Sequence, residues 1–572
     1  MPPGRRLRLL LRAAPGLAVG WCSLVLAACQ VQAPPPERPP AASSPLGAEA
    51  QAAAAVITPE LLRAPIAKLS SNQLEGRGPS TEGDRAARAY LAEQLRSLGL
   101  QPGRGADGWE QPVELVGITT RMPASWSFER GGKSLSLASW EQFIVNSGVQ
   151  STHGSLEHAE VVFVGYGIEA PEYGWDDFKG RDLKGKVLLF LNNDPDWEPS
   201  LFGGATRLYY GRWTYKYESA ARHGAAGALI IHTAASAGYP FQVVQSSWGG
   251  QVFELPSSGE PTLRTKGWLT EDAARALVAS SGKDLNELVA AARSRDFAPV
   301  SLEITTSLAF ENQVERVKSA NVYGIIRGRD PQLADQYVVL SAHHDHLGIG
   351  KPDARGDNIY NGALDNGAGD ATVLAIAKAL RALAQPPRRS ILVLFPAAEE
   401  QNLLGSKYFV EHPPIDPARI VANLNYDCGN IWGRTRDISQ VGPGKSSLDA
   451  VVRRLAAAQS RVVKPDQFPD RGSFYRSDQL SFAKVGIPAV YLKTGTDFVG
   501  RPEGWGKAQI LDYEAHRYHQ PSDELTDEWN FDGMVEDAQL GFYVALAIAD
   551  ADQAPTWNAG DEFEAARKAS TR

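Results

Sequence analysis

Hydrophobic and polar residues alternate with different periods along the chain, and these periods divide it into regions. Near the N-terminal end, Thr58 can cap a helix that has Pro59 at its first position, and a second helix is predicted after Thr81. The apolar face of the second helix and the glycine suited to its C-terminus are Ala87, Leu91, Leu95, Leu98 and Gly99. The segment "WEQPVELVGI" has the pattern of a strand, so residues 56–120 are predicted to be ordered.

Residues 121–308 have a different pattern, in which short apolar runs alternate with glycine-rich turns. The runs "VVFVGYGI", "KVLLFLN" and "GALIIHT" have the length and the residue types of buried strands. One compact helix, "YKYESAARHGAA", is predicted just before the last of them. We therefore expect residues 121–308 to form a β-rich domain inserted into the domain that begins upstream.

After Asn321 the pattern becomes an alternation of strands and helices. The runs "YVVLSA", "ILVLF", "IVANLNYD" and "PAVYLK" predict apolar strands, and "GDATVLAIAKALRAL" and "GMVEDAQLGFYVALAIADA" predict helices. Apolar strands joined by amphipathic helices indicate βαβ units around a buried sheet. The predicted fold class is α/β, with a mixed, largely parallel sheet flanked by helices. This domain comprises residues 56–120 and 309–555, and residues 556–572 are predicted to be a C-terminal tail.

The N-terminus has the pattern of an export signal. Residues 1–28 combine an arginine-bearing start with the apolar run "AAPGLAVGWCSLVLAA", which is short for a transmembrane helix. The sequence "LAAC", which ends at Cys29, resembles the bacterial lipobox, in which the cysteine becomes the lipid-modified first residue of the mature protein. A plain secretory signal that contains a cysteine is the alternative.

The segment that follows the signal is rich in Pro, Ala and Ser. Residues 29–55 are therefore predicted to be a tether between a lipid anchor and the folded domain, with an ordered N-terminal arm as the alternative. By the same resemblance, Gln30 after the cysteine favours sorting to the outer membrane. We expect an exported lipoprotein that faces the periplasm or is anchored in the outer membrane, with lipidated Cys29 as its sole membrane contact.

Composition and charge narrow the possible functions. The 572 residues carry a formal charge of −8, and without the four arginines of residues 1–28 the chain has 54 basic and 66 acidic residues, a charge of −12. Nucleic acid is therefore not an expected partner, because phosphate binding needs a basic surface. Once Cys22 has left with the signal and Cys29 is acylated, Cys428 has no disulfide partner, so the fold must be stabilised by its core.

Acids and histidines follow the predicted strands repeatedly. In an open α/β sheet, ligands bind at the carboxyl ends of the strands. The residues found there are His343, Asp365, Glu399, Glu400 and Asp427, and His519 follows later in "YHQPSDE". Two imidazoles and several carboxylates suit a divalent zinc ion, although any one of these residues alone would more often be structural or a solvated surface group.

The same stretches resemble a known family when they are taken together. "HHD", "GALDN", "EE", "NYD" and "YH", in this order, look like the motifs of the co-catalytic di-zinc exopeptidases of clan MH, which include secreted bacterial aminopeptidases. The segment "VFVGYGIEAPEYGWDDFKGRDLKGKVLLFLNNDP" resembles the protease-associated domain that is inserted in some of these enzymes. The resemblance extends from residue 74 to about residue 550.

The resemblance implies a role for each of these residues. One zinc would be held by His343 and Asp427 and the other by Glu400 and His519, and Asp365 would bridge the two zinc ions of each chain. Among the residues around the metals, Glu399 would be the general base, Asp345 would orient the ring of His343, and Tyr518 would hydrogen-bond the oxyanion. His344 and His346 are expected to lie beside the site as bystanders, and Gln479 replaces the histidine of a family segment usually written RSDH.

The predicted function is that of an exported zinc-dependent aminopeptidase that hydrolyses N-terminal residues from peptides through a water activated by two zinc ions. A carboxypeptidase of the same family is one alternative; it needs cationic groups for the substrate carboxylate, for which Arg476 and Arg501 are candidates. A catalytically silent, receptor-like binding protein is another alternative, although in such a protein we would expect some of the metal-ligand residues to be replaced. A glutaminyl cyclase with a single zinc fits less well, because all five ligand positions are filled.

Overall fold

Residues 46–103 and 108–570 are described by a computed structural model. The predicted signal peptide, Cys29 with its predicted lipid modification, and most of the predicted tether lie outside the described residues. Within the described ranges, no helix is long and apolar enough to cross a membrane.

The end of the predicted tether differs from the expectation, since residues Ala48–Ala54 form a helix. Ala53 and Ala54 are buried, and the backbone oxygen of Ala54 accepts a hydrogen bond from Gln539. Alanine has the highest helix propensity, and its small side chain allows close packing, so an alanine-rich run here is an ordered arm. The predicted tether therefore does not extend to residue 55.

The two predicted N-terminal helices are present with the predicted caps. Pro59–Leu69 begins after Thr58, whose side chain accepts a hydrogen bond from the backbone of Leu61. Glu82–Ser97 begins after Thr81, whose hydroxyl accepts from the backbone of Asp84. Each cap satisfies a backbone N–H that lacks a partner within its helix.

The main sheet is mixed, and its central strands are parallel, as the sequence predicts. Tyr337–Ser341 lies between Ser390–Phe395 and Ile420–Asn425 and is parallel to both. Ala489–Thr494 extends the parallel part beyond Ile420–Asn425. On the other side, the end of Val300–Ile326 pairs antiparallel with Ser390–Phe395. The three central strands, Tyr337–Ser341, Ser390–Phe395 and Ile420–Asn425, and the parallel strand Ala489–Thr494 therefore end at one edge of the sheet, where ligand sites of α/β proteins form.

Helices cover both faces of this sheet. Val338 and Leu340 point into one core layer, which contains residues of the helices Pro59–Leu69, Gly369–Arg381 and Asp532–Asp550. Val339, between them, points into the opposite layer, with residues of Leu404–Glu411 and Gln479–Lys484. Both faces of each strand are buried, which explains the continuous apolar runs in the sequence.

The region 121–308 supplies all residues of three hydrophobic clusters apart from Phe310. Strands Val187–Leu191 and Gly227–His232 match the predicted runs, whereas "GYGI" lies outside the strand His153–Phe163. The sequence predicts a single helix here, and the structure has Trp213–Arg222 at that place. The predicted number of helices is too small, because the region also contains four further helices, Ala234–Ala237, Phe241–Trp248, Glu271–Ser280 and Leu285–Ala291.

One strand of 27 residues, Val300–Ile326, runs from this region into the main sheet. It pairs with His153–Phe163 at one end, with Glu110–Arg121 along its second half, and with Ser390–Phe395 at its far end. The predicted domain boundary between residues 308 and 309 therefore falls inside a continuous strand.

The predicted C-terminal tail is packed against the domain. Trp557 and Phe563 are buried, and the indole N–H of Trp557 donates to the backbone oxygen of Gly486 at 2.8 Å. The remaining helices are Leu448–Ala458, Trp505–His516 and Glu564–Ser570. The remaining strands are Gln101–Pro102, Ser125–Arg130, Lys133–Ala138, Phe143–Ser147, Glu169–Ala170, Trp175–Asp176, Val252–Glu254, Thr265–Thr270, Gly348–Ile349, Ile359–Tyr360, Asp437–Val441 and Val462–Pro465.

Candidate metal centre

The predicted ligand residues converge at the carboxyl edge of the three central strands. Nε2 of His343 lies 3.3 Å from Oδ1 of Asp365 and 3.9 Å from Oδ1 of Asp427. These three residues form one group whose possible ligand atoms all lie within 4.8 Å of one another. The same nitrogen lies 3.8 Å from a carboxylate oxygen of Glu399.

A second set of groups surrounds the other oxygen of Asp365. Nε2 of His519 lies 3.3 Å from Oδ2 of Asp365 and 3.1 Å from Oε2 of Glu400. Asp365 thus directs one oxygen toward His343 and the other toward His519. This is the arrangement expected of a residue that bridges two cations.

His346 does not match its expected place as a bystander. Its Nδ1 lies 2.7 Å from Oε1 of Glu400, and His346, Asp365 and Glu400 form the second group of possible ligand atoms within 4.8 Å. The residue lies directly after "HHD" in the buried segment that follows the strand Tyr337–Ser341, and from there its ring reaches Glu400. His346 therefore contacts a candidate ligand, while His344 points away from the cluster.

The buried imidazoles fit a metal. Nε2 of His343 and Nε2 of His519 are buried, and neither makes a hydrogen bond of good geometry to any described residue, although carboxylates surround both. A buried polar atom without a partner is costly, and an ion between the imidazoles and the carboxylates would satisfy all of them. The residues present therefore suit a divalent cation with nitrogen and oxygen ligands.

The charges of the cluster are strongly coupled. Burial disfavours the imidazolium form of His519, but the carboxylates of Glu400 and Asp365 outweigh it and raise the pKa to about 10. Burial raises the pKa of Glu399 well above its usual value, and neighbouring Asp427 and Glu400 add to this, while His343 opposes it. A carboxyl group whose proton affinity is raised in this way is suited to take up a proton.

Asp345 fixes the glutamate pair. Its two carboxylate oxygens accept hydrogen bonds from the backbone N–H groups of Glu399, at 2.9 Å, and Glu400, at 3.3 Å. Nδ1 of His343 lies 3.3 Å from the backbone oxygen of Asp345 and 3.7 Å from its carboxylate. The hydrogen bond of the His343 ring thus goes to the backbone oxygen of Asp345, its orientation by the carboxylate stays a prediction, and the contact of that carboxylate with the glutamate backbone was not predicted.

The loop that carries Asp365 is held from two sides. Asp523 accepts hydrogen bonds from the backbone of Leu364 and Asp365, both at 3.0 Å. The side chain of Asn366 donates to the backbone oxygen of Tyr426 and accepts from the backbone N–H of Cys428, also at 3.0 Å. These bonds set Asp365 beside Asp427 at the end of the neighbouring strand. Sequence reasoning did not assign Asp523, although it lies four residues after His519.

Arg77 is a second residue that sequence reasoning missed. It is fully buried, and its guanidinium donates to four backbone oxygens, those of Leu69, His344, Asn361 and Gly362. The planar fork of an arginine suits such a multiple contact. Arg77 thus ties the N-terminal segment to two of the loops that carry candidate ligands, those of His343 and Asp365. Its signal in the sequence was a lone arginine between glycines in "LEGRGPS".

The cluster opens into a cavity of about 220 Å³ that is lined by residues of the main domain and of the region 121–308. Tyr518 and Arg476 lie on its wall, and Nη2 of Arg476 donates to the hydroxyl of Tyr518 at 3.1 Å. The region 121–308 contributes Arg212, Tyr239 and Ser247 among other residues. A substrate held against the cluster would therefore contact both parts of the chain.

Three other residues that the sequence analysis considered, or that neighbour a predicted ligand, are not among the candidate ligands. Cys428 next to Asp427 has its pKa raised by burial and then by the nearby carboxylates, so its thiol stays protonated. Gln479 is buried and bonds the side chain of Asn425 and the backbone oxygen of Phe474, which gives it a packing role. Arg501 is exposed with its guanidinium over Trp505, away from the residues that line the cavity.

Fold and site together define an α/β protein with a buried centre of imidazoles and carboxylates at the carboxyl ends of parallel strands. Residues 321–542 match the family model described as Peptidase family M28. This match agrees with the resemblance to the exopeptidases of clan MH that the sequence motifs carry.

A solved structure shares the fold. The aminopeptidase from Aneurinibacillus sp. strain AM-1 superposes with a TM-score of 0.51 at 18% sequence identity, over 87% of this chain and 96% of that one. At this identity the likeness concerns the fold, and it supports the mixed, largely parallel sheet with flanking helices.

Curated relatives match shorter segments. The probable leucine aminopeptidase 2 of Aspergillus oryzae is 27% identical over 268 residues, which are 45% of this chain and 50% of that protein. Leupeptin-inactivating enzyme 1 of Streptomyces exfoliatus is 28% identical over 180 residues, 30% of this chain and 39% of that protein. The chain therefore spans about half of the length of these relatives, or less.

Proposed function

We propose that the chain is a zinc-dependent aminopeptidase that removes N-terminal residues from peptides. The observation that carries the proposal is the position of Glu399, whose carboxylate lies 3.8 Å from Nε2 of His343, a member of one of the two groups of candidate ligands that share Asp365. A free buried carboxyl group beside a metal centre is the arrangement that general-base hydrolysis needs.

The ligand assignment follows the two sides of Asp365. His343 and Asp427 would hold one zinc, Glu400 and His519 would hold the other, and Asp365 would contact both. When bound, zinc supplies a Lewis acid that polarises the scissile carbonyl and lowers the pKa of water. The described residues hold this cluster together through buried hydrogen bonds, so its geometry is set before substrate arrives.

Glu399 is placed to move the proton. Its backbone is fixed by the carboxylate of Asp345, and its own carboxyl group faces the cavity. The carboxylate would take a proton from the attacking water and deliver it to the leaving amine, a contribution of about 10²–10⁴ in rate. Its raised pKa favours uptake of that proton, and burial is the main cause.

Tyr518 is placed to stabilise the oxyanion. Its hydroxyl accepts a hydrogen bond from Arg476 at 3.1 Å, so its own O–H remains available as a donor into the cavity. The positive charge of Arg476 makes this phenol a stronger donor. A preorganised donor of this kind stabilises the negative charge that develops on the carbonyl oxygen.

The acidic cluster favours a substrate with a free α-amine, which is cationic at neutral pH. The names of the relatives, leucine aminopeptidase 2 and leupeptin-inactivating enzyme 1, agree with a peptide substrate. The experiment is to purify the protein, determine its zinc content, and compare aminoacyl-anilides with N-acetylated peptides that have a free C-terminus. We expect about two zinc ions per chain and cleavage of the anilides. A protein that cleaves the acetylated peptides and spares the anilides would contradict the proposal.

One observation favours the carboxypeptidase alternative as a second candidate. Arg212 and Arg476 both line the cavity, and Nε of Arg212 is buried without a hydrogen-bond partner among the described residues. Burial, and then the neighbouring charge of Arg476, lowers the pKa of Arg212 to about 9, and a substrate carboxylate would relieve that repulsion.

The variant Arg212→Gln separates the two candidates. If the arginines bind a terminal carboxylate, the KM for acetylated peptides with a free C-terminus rises about tenfold or more, and that for their C-terminal amides does not change. If Arg212 has no such role, the two substrates respond alike. Anilide cleavage serves as the reference in both cases, because anilides carry no carboxylate.

We also infer that the mature protein is exported and lipid-anchored through Cys29. The support is the arginine-bearing apolar start of the chain and the sequence "LAAC". Cells fed labelled palmitate should incorporate label into the natural protein and not into the variant Cys29→Ala. Equal labelling of both would contradict the anchor.

A further inference from the structure

A helix of the inserted region contacts a candidate ligand directly. Ser247 lies in the helix Phe241–Trp248, and its hydroxyl oxygen lies 2.7 Å from Nδ1 of His519. The two residues are 272 positions apart in the chain. On the opposite side of the ring, Nε2 of His519 faces Asp365 and Glu400. Ser247 therefore lies at one nitrogen of the imidazole and the two carboxylates lie near the other.

The two nitrogens of a histidine have linked roles. When Nδ1 donates a hydrogen bond, Nε2 keeps its lone pair and can bind a metal, and the partner at Nδ1 fixes the direction of that lone pair. We propose that the inserted region is part of the metal centre, with Ser247 as the positioning residue that orients His519 toward the zinc it shares with Glu400. The inference rests on the proposed function, because it takes His519 as a ligand.

Neighbouring contacts hold the same turn. Gln242, on the same helix as Ser247, donates from its amide to the side-chain oxygen of Gln520 at 2.8 Å. Just before that helix, the ring of Tyr239 lies 6.3 Å from that of Tyr518. The residues before, at and after the histidine position are thus all contacted by one short stretch of the inserted region.

The helix that carries Ser247 is itself fixed to the inserted region. Asn146 donates to the backbone oxygen of Trp248 at 3.0 Å, and Gln245 donates to that of Trp140 at 2.8 Å. The ring of Trp248 packs edge-on against Trp213 at 5.2 Å. A hydroxyl on such a supported helix has a defined position, which is what the orientation of a ligand requires.

The backbone of His519 also needs support. Its φ is +56°, in the left-handed region that a residue with a Cβ seldom adopts. Such a conformation persists when surrounding contacts determine it. Ser247 contacts the ring of this residue, and Gln242 contacts its neighbour, so the inserted region supplies part of that support.

The test measures zinc binding by the full protein, without any substrate. Metal-free protein is titrated with zinc in competition with a fluorescent chelator. Ser247→Ala should weaken one of the two zinc affinities by about 10- to 100-fold and leave the other unchanged. Ser247→Thr, which keeps the hydroxyl, should restore affinity. Ser246→Ala is the matched control, because Ser246 bonds backbone oxygens of its own helix, those of Gln242 and Val243.

Each outcome of this test either supports or overturns the inference. The inference is overturned if Ser247→Ala binds both zinc ions like the natural protein. It is also overturned if Ser246→Ala weakens binding equally, or if the loss merely follows a lower unfolding midpoint of the metal-free protein. His519→Ala identifies failure of the underlying proposal: if that variant keeps both zinc affinities, the ligand assignment itself is wrong, and the role of Ser247 falls with it.

Discussion

Nε2 of His344 lies 3.1 Å from a carboxylate oxygen of Asp84, and both side chains are fully buried. Asp84 belongs to the helix Glu82–Ser97 of the N-terminal segment, so the second histidine of "HHDH" joins this helix to the main sheet. Its Nδ1 lies 3.2 Å from the backbone oxygen of Phe395. Neighbouring histidines in one short motif therefore serve different purposes, one facing the candidate metal centre and one stabilising the fold.

The first prediction compares these neighbours. His344→Ala should lower the free energy of unfolding by about 2–3 kcal/mol, because it leaves the buried charge of Asp84 with one hydrogen bond fewer. The variant should still bind zinc in the natural ratio. His343→Ala should lose zinc and leave the free energy of unfolding of the metal-free protein close to that of the natural protein. Urea unfolding of the metal-free proteins and zinc titration measure the two effects, and loss of zinc from both variants would contradict the division.

The second prediction concerns the proposed base. Glu399→Gln should retain both zinc ions and lose about 10²–10⁴ in kcat, because the amide cannot accept the proton while the backbone contact with Asp345 remains. Glu411→Gln, at an exposed position, is the control and should keep full activity. Zinc analysis and kcat on an aminoacyl-anilide give the result. Near-natural turnover by Glu399→Gln would show that another residue is the base.

The third prediction tests the bridge. Asp365→Ala should weaken binding of both zinc ions, because one oxygen of Asp365 faces His343 and the other faces His519. Asp427→Ala should weaken the binding of one zinc ion and leave that of the other unchanged. Of the two imidazoles, Asp427 lies close to that of His343 and not to that of His519. Titration with zinc separates the two patterns. If both variants lose the same single ion, Asp365 is not a bridge.

The fourth prediction concerns stability in acid. Burial of His232 among aromatic side chains lowers its pKa to about 4 from the usual 6.5. Between pH 6.5 and 4 the unfolded chain binds the proton and the folded chain does not, so stability falls as the pH falls through this window. The contribution is at most about 3 kcal/mol.

His232→Phe should remove this part of the acid sensitivity. The quantity to measure is the difference in unfolding free energy between pH 7 and pH 4.5, in chelator, for the natural protein and the variant. His158→Gln, at an exposed position of the same region, serves as the control. An identical pH dependence for the natural protein and His232→Phe would contradict the assignment.

The main domain could be predicted well because its signals are local. The central strands are rich in apolar residues, and caps such as Thr58 and Thr81 mark the starts of helices. Four of the five candidate ligands lie shortly after a strand or just before the helix Gly369–Arg381, so their approximate position follows from the fold class, whereas His519 follows the helix Trp505–His516. The five ligand positions predicted from the motifs do lie together, whereas their roles stay predictions until metal is bound and activity is measured.

The contacts that could not be predicted join distant segments. Ser247 and His519 are 272 residues apart, and a serine in a polar stretch has no pattern that marks it. His346 carried a signal, since it lies within the motif, but its distance from Glu400 depends on how the turn is bent. In the inserted region, short helices such as Phe241–Trp248 were missed because eight residues are too few for a clear period.

The strand Val300–Ile326 has a consequence for protein engineering. A domain that is joined by two flexible linkers can be exchanged between relatives by cutting at those linkers. Here the hydrogen-bond ladder of one strand belongs both to the main domain and to the region 121–308. Chimeras that join parental sequences between residues 308 and 309 would splice through the middle of this ladder. Crossover points before Glu110 and after Ile326 would transfer it intact, together with the helix that reaches His519.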